Sequence, residues 1–169
     1  MTLMETIIGR RSIRAYDSSK PVEKEKIEAV LEAARLAPSA RNRQKWRFIV
    51  VTDPGLREKM FDACNNQGFM KQAPAIIVAC GQEPGMMTCE QPVDTIDVSI
   101  AFSFIILKAH EEGLGTCWLG NFNKDKVKAV LNIPDDVSVV AVTPLGYPAE
   151  SPDARPRVAL GEIVSWEEY

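Results

Sequence analysis

Four short segments carry residue types suited to gripping a charged, flat ligand. The first, Gly9-Arg10-Arg11-Ser12-Ile13-Arg14, sets three guanidiniums and a hydroxyl within five residues directly after a helix. Guanidiniums form bidentate, charge-assisted hydrogen bonds to phosphate, and a hydroxyl adds another donor. The second, Pro38-Ser39-Ala40-Arg41-Asn42-Arg43-Gln44-Lys45-Trp46, is a polar stretch able to offer hydroxyl, amide and backbone groups to the edge of a heteroaromatic ring, with Trp46 read as core packing where a strand begins. The third, Gly113 to Phe122, holds three glycines that let backbone approach a flat ligand, but their spacing is not that of the dinucleotide fingerprint. The fourth, Arg155-Pro156-Arg157, adds two cations near the C-terminus. Any one of these could be solvated surface; their order along one chain is the informative feature.

The elements that must position them follow from periodicity and caps. Thr2 and Glu5 have capping-box spacing, which starts a short helix running to Gly9. Ile27, Val30, Leu31 and Ala34 recur on one helical face, and that helix is expected to open at Lys20-Pro21 and stop at Ala37-Pro38. Trp46–Thr52 and Ala75–Cys80 read as buried strands, with Asp53-Pro54 opening a helix between them. Thr95–His110 reads as a long helix, Asn123 as the cap of a helix through Leu131, and Val137–Thr143 as the last strand; beyond Tyr147 the chain is proline-rich and extended. Helices interleaved with strands give an α+β or α/β class, expected as a single domain over residues 1–169 with no repeat and no low-complexity linker.

Bulk properties narrow the function classes. The 169 residues suffice for one buried core. Cys64, Cys80, Cys89 and Cys117 show no CxxC spacing and are accompanied by a single histidine, so no metal site is expected and the thiols read as reduced residues of an intracellular protein. The first residues reach charge at once, without an apolar run ahead of a cleavage site, and the longest apolar-rich stretch, Ile96–Leu107, is about 12 residues, too short to cross a bilayer. A cytoplasmic protein without membrane contact is expected. Residues 1–47 hold 11 Lys/Arg against 6 Asp/Glu, and the remainder 9 against 17. A basic quarter on an acidic chain suits a small phosphate-bearing ligand better than a nucleic acid, for which no aromatic-interleaved basic stripe is present.

The helix predicted over Thr95–His110 bears on assembly. Ile96, Val98, Ile100, Ala101, Phe102, Phe104, Ile105, Ile106 and Leu107 cover most of its circumference, and a helix apolar all round must be buried on all sides. Either it runs through the centre of one small domain, or two subunits share it; the dimer is favoured. His110 reads as a surface or dipole-complementing residue rather than a base.

Taken in order, "RRSIRAY", "APSARNRQKW", "GLGTCWLGNF" and "RPRVALGEIV" resemble the nitroreductase family over nearly the whole chain. The resemblance implies an α+β sandwich, a central mostly antiparallel sheet flanked by helices, built as an intertwined homodimer with FMN at the interface and NADH or NADPH as electron donor. By motif it implies Arg10, Ser12 and Arg157 as phosphate ligands, with Arg155 and Arg11 as weaker candidates, and Arg14 as the cation near the pyrimidine edge of the ring. Pro38, Ser39, Ala40 and Asn42 match the loop that the partner subunit lays against the cofactor, and Leu119 and Gly120 the backbone that meets flavin N5. The chain departs from the pattern at Lys45, where proline is common, at Asn121, where glycine is frequent, and in the cations Arg41 and Arg43. It is also short where relatives insert helices over the active site; only Gly85–Val93, with Met86, Met87 and Cys89, occupies that place.

The chemistry implied is transfer of reducing equivalents from NAD(P)H through the flavin to an electron-poor acceptor, a nitroaromatic or a quinone, in ping-pong order and with no essential acid or base residue. Arg14 and the Gly120 N–H would tune and orient the ring. A flavin-binding sensor or carrier without turnover, and another flavin chemistry on the same fold such as dehydrogenation or dehalogenation, are the alternatives, because fold and cofactor do not fix the reaction.

Overall fold

A strand buried on both faces must satisfy its backbone within the sheet, and β2 (Ala75–Gly81) is buried at all seven positions. In the computed structural model, which describes residues 1–169, β2 lies between β1 (Trp46–Val51) and β4 (Ser138–Gly146), antiparallel to both. Phe48 faces Ala79 across one ladder and Val78 faces Val142 across the other. A two-residue strand, β3 (Gly115–Thr116), completes the order β1-β2-β4-β3 on the free edge of β4. The expected mostly antiparallel α+β sandwich is what forms.

Alternation along β2 divides the core in two. Ala75, Ile77 and Ala79 pack with α2 (Lys24–Arg35) and α4 (Val93–Glu111), where Val30, Ala34, Phe102 and Ile105 are fully enclosed. Ile76, Val78 and Cys80 face α3 (Pro54–Ala63) and α5 (Lys124–Leu131), meeting Met60 and Val127. Burial pushes the Cys64 thiol up to about 12 and Cys80 to about 11, so both behave as small apolar residues. No helix is long and apolar enough to cross a membrane.

Most caps form as the sequence predicts. Thr2 and Glu5 exchange both capping-box bonds at the head of α1 (Leu3–Gly9), at 2.7 and 3.2 Å. Asp53 accepts from the Leu56 N–H at 2.8 Å, and Asn123 accepts from Asp125 and Lys126. Helix α2 is an exception, beginning at Lys24 rather than at Lys20-Pro21. Asp17 holds Ser19 in a side-chain turn, and Pro21 keeps the residue before it out of helical conformation, so the first turn is delayed. The chain after Tyr147 is extended as expected, apart from the one-turn helix α6 (Leu160–Ile163).

Helix α4 departs from the expectation of all-round burial. Its buried stripe runs Val98, Ala101, Phe102, Ile105 and Ala109 against the sheet and α2, while Ile96, Ile100 and Leu107 are only partly covered and Phe104 is 39% exposed. One chain closes one side of this helix and leaves an apolar side open. Exposed Leu3, Met4, Ile7 and Ile8 on α1, and Leu160, Ile163 and Trp166 in the tail, add to the uncovered apolar surface.

The sheet-facing side depends most on Phe102, which is fully buried and meets Trp118 edge-on at 4.7 Å and 85°. Phe102→Ala should lower the unfolding free energy by about 3–5 kcal/mol, read as a lower denaturation midpoint in urea at fixed protein concentration. A loss below about 1 kcal/mol would mean that this side of the core repacks without penalty.

Candidate functional site: an arginine cleft beside the glycine turn

The end of α1 fixes the first arginines. Nη1 of Arg11 donates to the carbonyls of Ile8 at 2.6 Å, Arg10 at 2.9 Å and Gly9 at 3.2 Å, capping the helix where its own hydrogen bonds run out. The chain then runs extended between two other segments. Ser12 pairs with Thr116 in a parallel bridge, and the Ile13 N–H donates to the Thr116 carbonyl at 2.8 Å. On the other side Asp17 N–H donates to Tyr147 O and Ala149 N–H to Ala15 O, both at 2.9 Å, while Glu150 accepts from the Arg14 N–H. Gly115 permits the first contact, since a Cβ there would sit 2.9 Å from the Ile13 side chain. Segments far apart in sequence are thereby brought together, and the chain beyond Glu150 passes over Arg10–Arg14.

The result is a cleft of about 630 Å³ lined by Arg10, Arg11, Ser12, Arg14, Arg155 and Arg157, with Leu107 of α4 and the carboxylate of Asp153. Five guanidiniums therefore face one carboxylate. Arg10 is held below the usual arginine value, first by burial and then by repulsion from Arg157 and Arg11. The guanidiniums of Arg10, Arg14, Arg155 and Arg157 take part in no ion pair. Nε of Arg11 is buried with no hydrogen-bond partner. A buried orphan donor among mutually repelling cations fits a dianionic phosphate, and the cleft is of the size that organic cofactors occupy. Burial raises the nearby Cys117 thiol although Arg14 and Arg10 pull it down, so it is no nucleophile.

The glycine turn contributes less backbone than its motif suggests. Leu119 is buried and bridges Val142 in both directions, donating at 2.8 Å and accepting at 3.3 Å, so both its backbone groups are committed to the sheet. Gly120 is exposed and its N–H has no partner within the chain, which leaves it as the free donor of the pair.

The Pro38–Gln44 loop lies elsewhere. Its 3₁₀ turn, Ala40–Asn42, is tied to the start of α4 by the Ala40 N–H, which donates to the buried carboxylate of Asp97 at 3.0 Å. Leu107, which lines the arginine cleft, is ten residues further along the same helix, about 15 Å away at 1.5 Å rise per residue. Within one chain the first, third and fourth motifs converge, and the second, with Pro38, Ser39, Ala40 and Asn42, does not join them.

The model of the Nitroreductase family matches residues 7–82 and 63–147. A protein of Archaeoglobus fulgidus, named as a candidate NADH dehydrogenase/NAD(P)H nitroreductase, is 37% identical over 154 residues, covering 89% of this chain and 87% of its own. The chain belongs to the nitroreductase family. The crystal structure of a nitroreductase family protein from Clostridium difficile 630 superposes with a TM-score of 0.88 at 32% identity, over 100% of both chains. The NADPH-flavin oxidoreductase of Vibrio harveyi is 25% identical over 178 residues, 98% of this chain and 74% of its own.

For this member of the nitroreductase family, sequence reasoning missed four acidic residues, Glu150 and Asp153 beside the cleft and Asp94 and Asp97 at the other end of α4. Asp97 and Asp94 were detectable as charges inside an apolar helix, and both are buried. Glu150 and Asp153 carried no signal, because their roles depend on where the chain turns after β4. The one histidine, His110, lines an adjoining cavity with Arg10 and Arg11, and burial, then those two cations, lower its pKa. It is therefore neutral at pH 7 and does not serve as a charged complement to the helix dipole. A histidine depressed by folding contributes stability that is complete above its unfolded value of about 6.5 and is lost as pH falls below it. Thermal midpoints of wild type and His110→Gln should run parallel above about pH 6.5, and below it the wild type should fall faster. Parallel curves throughout would show that the cleft does not disfavour the imidazolium.

Proposed function

We propose that this chain is a single FMN-binding domain over residues 1–169 that works as a cytoplasmic homodimer, passing reducing equivalents from NADH or NADPH to an electron-poor organic acceptor, nitroaromatic or quinone-like. The observation that carries this reading is the convergence of Arg10, Ser12, Arg14, Arg155 and Arg157 on one cleft with a single opposing carboxylate. The flavin relative of Vibrio harveyi and the NAD(P)H name of the Archaeoglobus relative supply the cofactor and the donor. When bound, the flavin supplies the two-electron chemistry.

The residues of this chain bind and orient. Arg10, Ser12 and Arg157 hold the phosphate, with Arg155 beside them, and the partnerless Nε of Arg11 is a further donor. Arg14 brings positive charge to the ring edge, where negative charge accumulates on reduction. The free N–H of Gly120 is offered to the ring, and Leu119 positions it by its bridge to Val142. Pro38, Ser39, Ala40 and Asn42 act on the cofactor held by the partner. The support for a partner is the open apolar side of α4, the exposed apolar residues of α1 and the exposed tail, together with a second motif that no single chain brings to the cleft.

The first test is the visible spectrum of the purified protein: flavin absorption that bleaches when excess NADH or NADPH is added without oxygen, and returns when a quinone follows, is the expected result. A colourless protein that takes up no FMN would remove the reading, and a yellow one that bleaches but does not reoxidise with any acceptor would favour the carrier. Arg10→Ala and Arg157→Ala should each weaken FMN retention about tenfold to a hundredfold, the loss of one charge-assisted hydrogen bond. Phe104→Asp, placed on the open side of α4, should shift the sedimentation profile toward monomer and lower FMN retention with it, whereas retention unchanged in a monomer would show that one chain completes the site.

A further inference from the structure

The second cationic group of the chain lies at the opposite end of α4 from the arginine cleft. A cavity of about 430 Å³ opens there between the Ala40–Arg43 turn and the short loop that replaces the helices other members insert; Ala40, Arg41, Arg43, Met86, Met87 and Cys89 line it. Both walls are fixed. The short loop is closed at its base by Val93 N–H to Gly85 O at 2.9 Å and Met87 N–H to Gln91 O at 2.8 Å. The turn is held by Asp97, and by the Gln44 N–H donating to Ser39 Oγ at 3.0 Å.

Its backbone is strained in the sense that matters for non-glycine residues. Arg41, Asn42 and Gln44 have φ of 52°, 55° and 53°. A long side chain at left-handed φ is disfavoured, and such positions persist where surrounding contacts over-determine them, typically where a ligand is held. An asparagine there is unremarkable; an arginine is not.

The charges divide unequally. Glu83 pairs with Nη2 of Arg43 at 2.7 Å and with Lys45, whose cations hold its carboxyl below the usual range. Arg41 has no acidic partner and donates to no other residue. The cavity thus combines thioether and thiol walls, which suit the edge and face of an aromatic ring, with one guanidinium whose charge is unopposed.

Resting on the dimeric flavin reading above, we propose that Arg41 is a specificity-determining residue that selects acceptors carrying an acidic group, a carboxylate or sulfonate on a flat electron-poor ring, with Met86 and Met87 packing on that ring and Glu83 limiting the positive charge by holding Arg43 and Lys45. In that arrangement the acceptor's ring would pack on Met86 and Met87 and its acidic group would meet Arg41.

The test compares 4-nitrobenzoate with its neutral isostere 4-nitrobenzamide on the flavin-loaded protein. Binding is measured by calorimetry without any electron donor, and kcat/KM for both is measured with donor. Wild type should bind the benzoate more tightly. Arg41→Asn, chosen because asparagine accepts the left-handed backbone, should weaken benzoate binding about tenfold and leave the benzamide within about twofold, the size of one charge-assisted contact at a solvated edge. Glu83→Gln, which releases Arg43 and Lys45, should move the ratio the other way. Equal binding of the two ligands by wild type, or a parallel loss of both in Arg41→Asn, would overturn the inference and leave the flavin reading intact. A fall in affinity for NADPH but not NADH in Arg41→Asn, with benzoate unchanged, would also overturn it, assigning the anion to the donor. A protein that takes up no flavin would overturn both.

Discussion

Like charges held close together and partly out of water are the constraint around which this chain is built. Arg10, Arg11, Arg14, Arg155 and Arg157 surround one cleft whose lining holds a single carboxylate, Asp153, and burial first, then repulsion from neighbouring cations, depresses Arg10 and the adjoining His110. Such an arrangement is unfavourable unless rigid elements impose it or an anion relieves it. The imposing elements can be named. Arg11 is locked by the carbonyl end of α1, the segment from Ser12 to Asp17 is bonded on both sides, and Gly115 lets that segment close on the turn beside it. In the function proposed above, the relieving anion would be the cofactor's phosphate. Preorganised cations of this kind hold a phosphate without first having to collapse around it, and that is how a small site retains a large cofactor.

Helix α4 sets the distances between the parts. Its inner stripe packs against the sheet through Phe102 and Ile105, its start holds the Ala40–Arg43 turn through Asp97, and Leu107 near its end lines the arginine cleft. A buried carboxylate that accepts a backbone N–H is costly to leave unpaired, so Asp97 fixes the loop to the helix more firmly than surface packing would. The outer side of the same helix, with Phe104 and its partly covered neighbours, is apolar and open. That open apolar side is the surface on which the proposed dimer rests.

Elements governed by local rules were legible in the sequence. The capping box at Thr2, the Asp53-Pro54 start, the Asn123 cap and the buried strand from Ala75 each depend on residues a few positions apart. Where a contact distant in sequence decides, the residues gave no warning. Leu119 looks like half of a backbone pair facing a ring until its bridge to Val142 is seen, and Arg11 looks like a free guanidinium until its Nη1 is found on three carbonyls, leaving Nε as the buried donor without a partner. The long apolar helix was found with its ends within two residues, but its pattern could not say which side belonged to this chain and which to a second copy. The first and fourth segments meet in the cleft and the third bonds to the first through Thr116, contacts that depend on the turn after β4, whereas Asp97 holds the second at the other end of α4.

That division has a thermodynamic consequence. The basic first quarter of the sequence resolves into two groups, Arg10–Arg14 at one end of α4 and Arg41–Lys45 at the other. Each group crowds positive charge into a small volume, and within one chain the two lie too far apart to relieve or oppose each other. Glu83 offsets the second by pairing Arg43 and Lys45, and in the proposed reading the cofactor's phosphate would offset the first. In the dimer proposed above, the apolar side of α4 would supply the non-directional attraction. A cofactor touching both subunits of that dimer would link binding to assembly: a ligand that favours association gains affinity from it by reciprocity.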